Sequence, residues 1–300
     1  MKVKVLLNPY SNRWNAQKRW HKTEAALKSA GVDFDLSVSE HPDHLPDLAA
    51  ESVKQGFSTI VVAGGDGSIG ETINGIARHW NGEDDFPATI GIIPLGTAND
   101  FVFGLGLPLD LNEAAHAIAN GKTKSVDLCK CNERFFINNS GICLEPYVST
   151  RHERIRWIKG TARYLVAAVW AIMDKPEWQG QLKWDGGEFN GPITLGSIGN
   201  SRRTGGFFMT PHADPFDGKL TLAFGYRGTR LEMFMALPRA FIEGKVNYVE
   251  LDGMREVHCT RLTIHLDKPS PAHTDGELFD DWLTDFDYQI FPGAVPVLMK

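Results

Sequence analysis

Through the first 120 or so residues, short apolar runs alternate with segments of helical spacing, and this alternation constrains the fold more than any other feature. "KVKVLLNP", "VDFDLSVS", "FSTIVVAGG" and "ATIGIIPLG" read as strands. Between them, "RWNAQKRWHKTEAALKSAG", "HLPDLAAESVKQG" and "SIGETINGIARHW" read as helices, the first two stopping at Gly31 and Gly56. Strands separated by helices of this length join by crossovers, which gives a mostly parallel sheet. From "VDLCKCNERFFINNSG" onward the pattern changes to strands and turns, with helical interruptions near 158–174 and 230–243. The expected architecture is therefore an N-terminal three-layer α/β domain over 1–126 and a C-terminal antiparallel β domain over 127–286. The tail strand, about 287–300, is free to return to either domain.

Charge and composition remove several classes of function. A net charge of −6 argues against a duplex nucleic-acid binder. No apolar run reaches the roughly 18 residues of a membrane span, and the longest, "YLVAAVWAIM", suits a buried helix. The first residues lack a signal-peptide run, so a cytoplasmic protein is expected. Cys129 and Cys131 form C-x-C while Cys143 and Cys259 stand alone. Zinc spacing is absent, and the expectation is four reduced, structural thiols.

Gly65, Asp66, Gly67, Ser68, Ile69 and Gly70 spell G-x-G-x-x-G, the dinucleotide fingerprint. Glycines between a strand and a helix N-terminus admit a phosphate to free backbone N–H groups. Two features disfavour NAD: the motif follows the third strand instead of the first, and the acidic cluster Glu83–Asp85 precedes the next strand instead of following it. Ser68-x-x-Glu71 also has the form of a capping box, although capping leaves Asp66 between two glycines unexplained. The next strand ends in a second small polar loop with Gly96, Thr97, Asn99 and Asp100. Neighbouring parallel strands end on one edge, so both loops should face one crevice. That crevice would offer glycine backbone and hydroxyls to phosphates, and the carboxylates of Asp66 and Asp100 to magnesium.

Taken in order, Asn8-Pro9, "GGDGS" with Glu71, "PLGTAND", "GGFFMTPHADPFDGKL" and "TDGE" resemble the motifs of the bacterial diacylglycerol-kinase-like lipid kinases, relatives of sphingosine kinases. The resemblance implies a phosphofructokinase-like nucleotide domain and a C-terminal β-sandwich that helps form the lipid site, with the last strand returning to the first domain. It implies that Asn8, Ser39, Gly64, Gly65, Gly67, Ser68, Gly70, Glu71, Gly96, Thr97 and Asn99 border ATP. Asp66 and Asp100 would serve its magnesium, and Glu277 would deprotonate the acceptor hydroxyl. A structural magnesium would be held by the carbonyls of Asp214 and Lys219 and the side chain of Asp217; on spacing alone "DPFDG" is a turn. Ser68 replaces the usual Thr, Gly70 the usual Asn and Phe103 the usual Arg, and "NPYSN" lacks the usual Ser-Gly ending.

A lipid hydroxyl has a pKa far above neutral, so phosphoryl transfer to it needs in-line approach, neutralised phosphate charge and a proton acceptor. Asp66 and Glu277 compete for that last role. Glu277 is preferred because it lies in the domain that faces the acceptor, although "HTDGEL" read alone is a hairpin turn. Arg151, Arg154, Arg156, Lys159 and Arg163, with Trp157 among them, precede an apolar run. They are read either as an interfacial helix touching the inner membrane face or as the solvated start of a core helix. Two alternatives stay open: a different GGDG kinase acting on NAD or a sugar phosphate, and a non-catalytic nucleotide or lipid sensor. A homodimer is also compatible with the sequence.

Overall fold

The structure, a computed structural model, describes residues 3–155 and 161–300, with the backbone alone for 152–154 and 161–164. The alternation of the first half becomes β1 (Val3–Leu7), α1 (Ser11–Ser29), β2 (Phe34–Val38), α2 (Leu45–Lys54), β3 (Thr59–Gly64), α3 (Asp66–Ile76), β4 (Thr89–Pro94), α4 (Asp100–Gly104) and α5 (Leu111–Asn120). The strands pair in parallel in the order β2-β1-β3-β4. Residues alternate along each strand, so the two faces bury different partners. Leu6, Ile60, Val62 and Ile92 pack with α2 and α3, whereas Val5, Val61, Ala63 and Ile93 pack with α1 and α5. Helices cover both faces, as three layers require.

The chain continues as β5 (Thr123–Cys131), β6 (Arg134–Phe136), β7 (Asn139–Cys143), α6 (Leu144–Arg154), α7 (Thr161–Asp174), β8 (Trp178–Trp184), β9 (Gly187–Ile193), β10 (Leu195–Gly199), β11 (Leu220–Gly225), α8 (Arg230–Ala236), β12 (Met254–Cys259), β13 (Arg261–Ser270), β14 (Ala272–Thr274), β15 (Glu277–Leu278) and β16 (Leu283–Leu298). A six-stranded antiparallel sheet, β12-β11-β10-β7-β14-β15, faces the antiparallel half of the first sheet. Ile142, Ile198, Leu222, Leu262, Ile264 and Tyr288 fill the space between them. All four cysteines lie buried with free thiols. Burial pushes Cys131 and Cys259 up to about 12, so these thiols act as small apolar side chains.

The tail strand joins the halves. β16 pairs with β13 through Leu283–Gln289, with β5 along Tyr288–Leu298, and in parallel with β4 where Val297 meets Ile90. The parallel sheet thus runs without interruption into the antiparallel one, and the boundary drawn from sequence at Val126 falls inside β5. A register shift between Phe291 and Val295 bends β16 at Gly293. Buried Asp127 ties this bend down, accepting from Gly293 N at 2.6 Å and from Gly218 N at 2.7 Å.

Gly75 is where α3 meets α2, and an ideal Cβ there would sit 2.2 Å from the Pro46 carbonyl oxygen. That neighbour is backbone and cannot swing away. Gly75→Ala should therefore cost roughly 1–3 kcal/mol, the range for overpacking a tight contact. A lower midpoint in urea denaturation with an unchanged slope is the expected reading.

Candidate active site

The two glycine loops touch. An ideal Cβ on Gly96 would fall 2.5 Å from Gly65 Cα, so only glycines permit the strand tips to come so close. The Asp66 carboxylate accepts from the Phe101 amide at 2.9 Å, which locks the start of α3 to the start of α4. Asn99, in left-handed backbone, closes its own loop by accepting from Gly96 N at 3.0 Å. The hydroxyl of Thr97, an exposed residue, donates to Asn12 across the crevice at 3.2 Å.

The capping-box reading of Ser68 and Glu71 does not hold. Helix α3 starts one turn earlier, with Gly65 at its N-cap and no side-chain cap. Ser68 lies inside the helix, where its hydroxyl accepts from Asn8 Nδ2 at 2.9 Å and lies 3.2 Å from Ser11 Oγ. Gly64 leaves room for it, because an added Cβ would stand 2.5 Å from Ser68 Cβ. Asn8 therefore pins the tip of β1 to the helix that carries the phosphate-type loop. Ser39, at the tip of β2, is buried and its hydroxyl donates to the His41 carbonyl at 3.0 Å.

The second domain brings a hairpin to this edge. Asp275 and Gly276, at φ 49° and 87°, form the two-residue turn between β14 and β15. The turn is a hairpin, as the spacing indicates, and it is also anchored at depth. The Asp275 carboxylate accepts from the amides of Ile137, Asn138 and Asn139 at 3.0, 2.9 and 3.0 Å. Arg134 donates to the carbonyls of Glu277 and Leu278 at 3.3 and 3.1 Å. So held, the Glu277 carboxylate lies against Gly67, where an ideal Cβ would be 3.0 Å from Oε1. Beyond it opens a cleft of about 660 Å³ that Asp43, Glu71, Arg134 and Glu277 help to line.

Asp275 and Arg134 escaped the sequence reading. The first stands in the quoted "TDGE", where attention fell on the glutamate. The second carries no motif and is legible only once β5 and β6 are folded.

Carboxylates crowd this edge. Burial, then the Asp66 charge, pushes Asp100 up to about 6 against opposing Gly206 and Arg203. Burial raises Asp275 to about 6 in spite of its three amides, and raises Glu71 to about 7 with help from Glu277.

A second cavity, about 110 Å³ and almost wholly apolar, lies between the six-stranded sheet and helices α6, α7 and α8. Val148, Ala168, Ile172, Met233 and Leu237 are among its walls. Thr194, Thr204, Arg227 and Tyr248 share the lining, and Glu145 Oε2 is buried with no hydrogen-bond partner among the described residues, while Oε1 meets His273 Nε2 at 3.1 Å. Outside the cavity, Val166, Val169, Trp170 and Met173 form an exposed stripe along α7, continued by Leu231 and Met235 of α8. Of the basic segment read as an interfacial helix, the side chains of Arg154, Arg156, Trp157, Lys159 and Arg163 lie outside the described residues. Arg151 is paired with Asp174 at 2.7 Å. Among the described residues, no helix is long and apolar enough to cross a membrane.

The Asp214–Lys219 segment is a turn closed by its own side chains. Asp214 accepts from Phe216 N at 3.1 Å and Asp217 from Lys219 N at 2.9 Å. Among the described residues no three acidic, His or Cys side chains converge as a metal cluster.

Paired glycine loops at parallel strand tips, opposed by an acidic hairpin from a β-sandwich, define a two-domain kinase. The diacylglycerol kinase catalytic domain model matches residues 2–131, and the YegS C-terminal NAD kinase beta sandwich-like domain model matches 141–299. A diacylglycerol kinase of Mycobacterium tuberculosis is 32% identical over 286 residues, 92% of this chain and 88% of the relative. One of Bacillus subtilis is 25% identical, over 92% of this chain and 89% of the relative. The crystal structure of a diacylglycerol kinase from Bacillus anthracis has the same fold, with a TM-score of 0.77 at 23% identity, over 100% of this chain and 97% of that one. The chain belongs to the diacylglycerol-kinase-like lipid kinase family, and it is a phosphotransferase with an alcohol group as acceptor.

The raised carboxyl pKa values set the pH response of the free protein. Asp100, Asp275 and Glu71 hold protons more tightly folded than unfolded, so between about pH 4 and about 7 the native state binds the more protons. Stability should therefore fall as pH rises across that window. Urea denaturation should give a smaller unfolding free energy at about pH 7.5 than at about pH 5. Glu71→Gln should flatten the upper part of the slope.

Proposed function

We propose that this kinase binds Mg-ATP at the touching glycine loops and transfers the γ-phosphoryl group to the hydroxyl of a lipid, with Glu277 taking the proton. The observation that carries the reading is the contact of the Glu277 carboxylate with Gly67, which sets an acid of the second domain on the phosphate-type loop of the first.

The residues fit a metal-bound triphosphate. The glycines at 64, 65, 67 and 96 leave a surface free of Cβ atoms at the N-terminus of α3, where backbone N–H groups and the helix dipole favour anions. Asp66 and Asp100 would hold magnesium; among the described residues Asp100 Oδ1 is buried and makes no hydrogen bond, although the Arg203 guanidinium already faces it at 3.2 Å. Bound there, the metal would neutralise charge on the transferred phosphoryl group. A second magnesium at the Asp214–Lys219 turn would be held by the carbonyls of Asp214 and Lys219 and by the Asp217 carboxylate, one oxygen of which accepts from Lys219 N.

Proton removal by a positioned carboxylate is typically worth about 10²–10⁴-fold. Asp66 suits the task less, because one of its oxygens is committed to the Phe101 amide. Glu277 instead stands on a hairpin tip held by Asp275 and Arg134, at the mouth of a cleft wide enough for an acceptor headgroup.

The acceptor class follows from the second domain. A cavity this apolar suits an aliphatic chain, and Glu145 Oε2 and Arg227 Nε, both without a hydrogen-bond partner among the described residues, could meet a polar group that it bears. The stripe on α7 and α8 would give such a chain a way out of a bilayer by peripheral contact, and the face met is the one on the protein's own side, read from sequence as the cytoplasmic one.

Purified protein incubated with labelled ATP, magnesium and a total lipid extract should yield a labelled lipid; label found only in NAD or sugar phosphate would sink the lipid reading. Glu277→Gln should lose at least about a hundredfold in turnover while nucleotide affinity stays within a few-fold. Normal turnover in that variant would move the base elsewhere. Trp170→Asp should release the protein from sedimenting phospholipid vesicles and leave ATP binding intact.

A further inference from the structure

Helix α4 ends against the second domain. An ideal Cβ on Gly104 would lie 2.1 Å from Ser201 Oγ, so the helix closes directly onto the loop that follows β10. That loop is rigidly tied: Asn200 donates to the carbonyls of Asp127 and Ile137 at 2.8 and 2.7 Å, and Thr210 donates to the Ser201 carbonyl at 2.8 Å. The contact slides Phe103 beneath Arg203. The guanidinium lies 4.3 Å from the Phe103 ring centre and 5.7 Å from that of Phe208, and the two rings meet edge to face.

Arg203 Nε stands 3.2 Å from Asp100 Oδ1, with Asp100 2% and Arg203 21% exposed. Neither atom has a hydrogen-bond partner among the described residues. Two opposite charges are in contact, yet hydrogen bonding leaves both unsaturated. The other Asp100 oxygen accepts from Gly206 N at 3.1 Å, on the same loop. A ring-stacked guanidinium is pre-oriented and weakly hydrated, so its planar fork gives up little to meet an anion. Around it the edge is otherwise rich in carboxylates: Asp66, Asp100, Asp275 and Glu277. Beside the metal that Asp66 and Asp100 would hold, a guanidinium adds a permanent positive charge to this edge.

We propose that Arg203 is a phosphate-binding residue for the nucleotide, supplied by the second domain and held in place by Phe103. The assignment rests on the nucleotide reading above. It also accounts for the departure at position 103, where an aromatic platform stands on α4 in place of an arginine. The donor site is then complete only when both domains contribute.

Calorimetry with Mg-ATP and with adenosine tests this on the full chain. Arg203→Gln should weaken Mg-ATP binding about tenfold or more while adenosine affinity changes less than about twofold, because a charge-assisted contact to phosphate is lost. Adding Phe103→Arg to that variant should recover most of the loss, by placing the charge back on α4. Arg203→Lys, which keeps charge but not the stacked fork, should fall between. Equal Mg-ATP affinity in Arg203→Gln, or an equal loss for adenosine without rescue by Phe103→Arg, would overturn the assignment and leave Arg203 a structural partner of Asp100. Wild-type protein that bound no Mg-ATP would overturn the nucleotide reading itself, and this assignment with it.

Discussion

One strand holds the two halves of this kinase at a fixed distance. β16 lies against β13 of the sandwich at one end and between β5 and β4 at the other, so backbone hydrogen bonds run continuously from one domain into the next. A hinge built from a flexible linker would let the acidic hairpin drift by many ångströms. A shared sheet does not, because sliding β16 by one residue would turn its buried side chains outward. The bend at Gly293, held by Asp127, adjusts the direction of the strand without breaking that register. Glu277 stands on β15 of the six-stranded sheet packed against this one, so its place over Gly67 depends on how the two sheets face each other.

Within that frame the site is made by removing side chains as much as by placing them. Gly64, Gly65, Gly67, Gly96 and Gly104 each let a backbone segment or a functional side chain approach to a distance that a Cβ would forbid. What comes into contact is then polar: Ser68 with Asn8, Asp66 with the Phe101 amide, Asp100 with the Gly206 amide. Close approach excludes water, and the carboxyl groups respond by holding protons more tightly than usual. The same crowding lowers the stability of the folded state as pH rises towards neutral.

Much of this was legible before folding. Alternation and strand-end glycines point to the parallel sheet and to loops side by side, because period and chirality leave few other arrangements. The second domain reads as antiparallel for the same kind of reason. What the sequence hides is long-range. The Ser68-x-x-Glu71 spacing suggests a local cap, but helix α3 begins earlier and turns Ser68 to Asn8, just past the end of β1 and 60 positions away. Arg203 and Phe103 carry no spacing signal at all, since their contact exists only after α4 docks on the sandwich. Short motifs report what a loop can do, whereas partners a hundred residues apart are chosen by the packing of whole layers.

The substitution of Gly70 illustrates how a departure from the family pattern is to be weighed. Taken alone, it removes a side-chain donor beside the nucleotide loop and suggests weakened chemistry. In the folded chain an ideal Cβ at that position would lie 2.9 Å from both Cβ and Oδ2 of Asp275. Asp275 is the residue whose three amide contacts fix the hairpin bearing Glu277. A side chain at position 70 would have to displace either that carboxylate or helix α3. Glycine there lets the hairpin seat deeply, and the depth of that seat sets how near Glu277 comes to the phosphate loop. The absence of a side chain at position 70 is thus a steric condition for the seat of the second domain's hairpin.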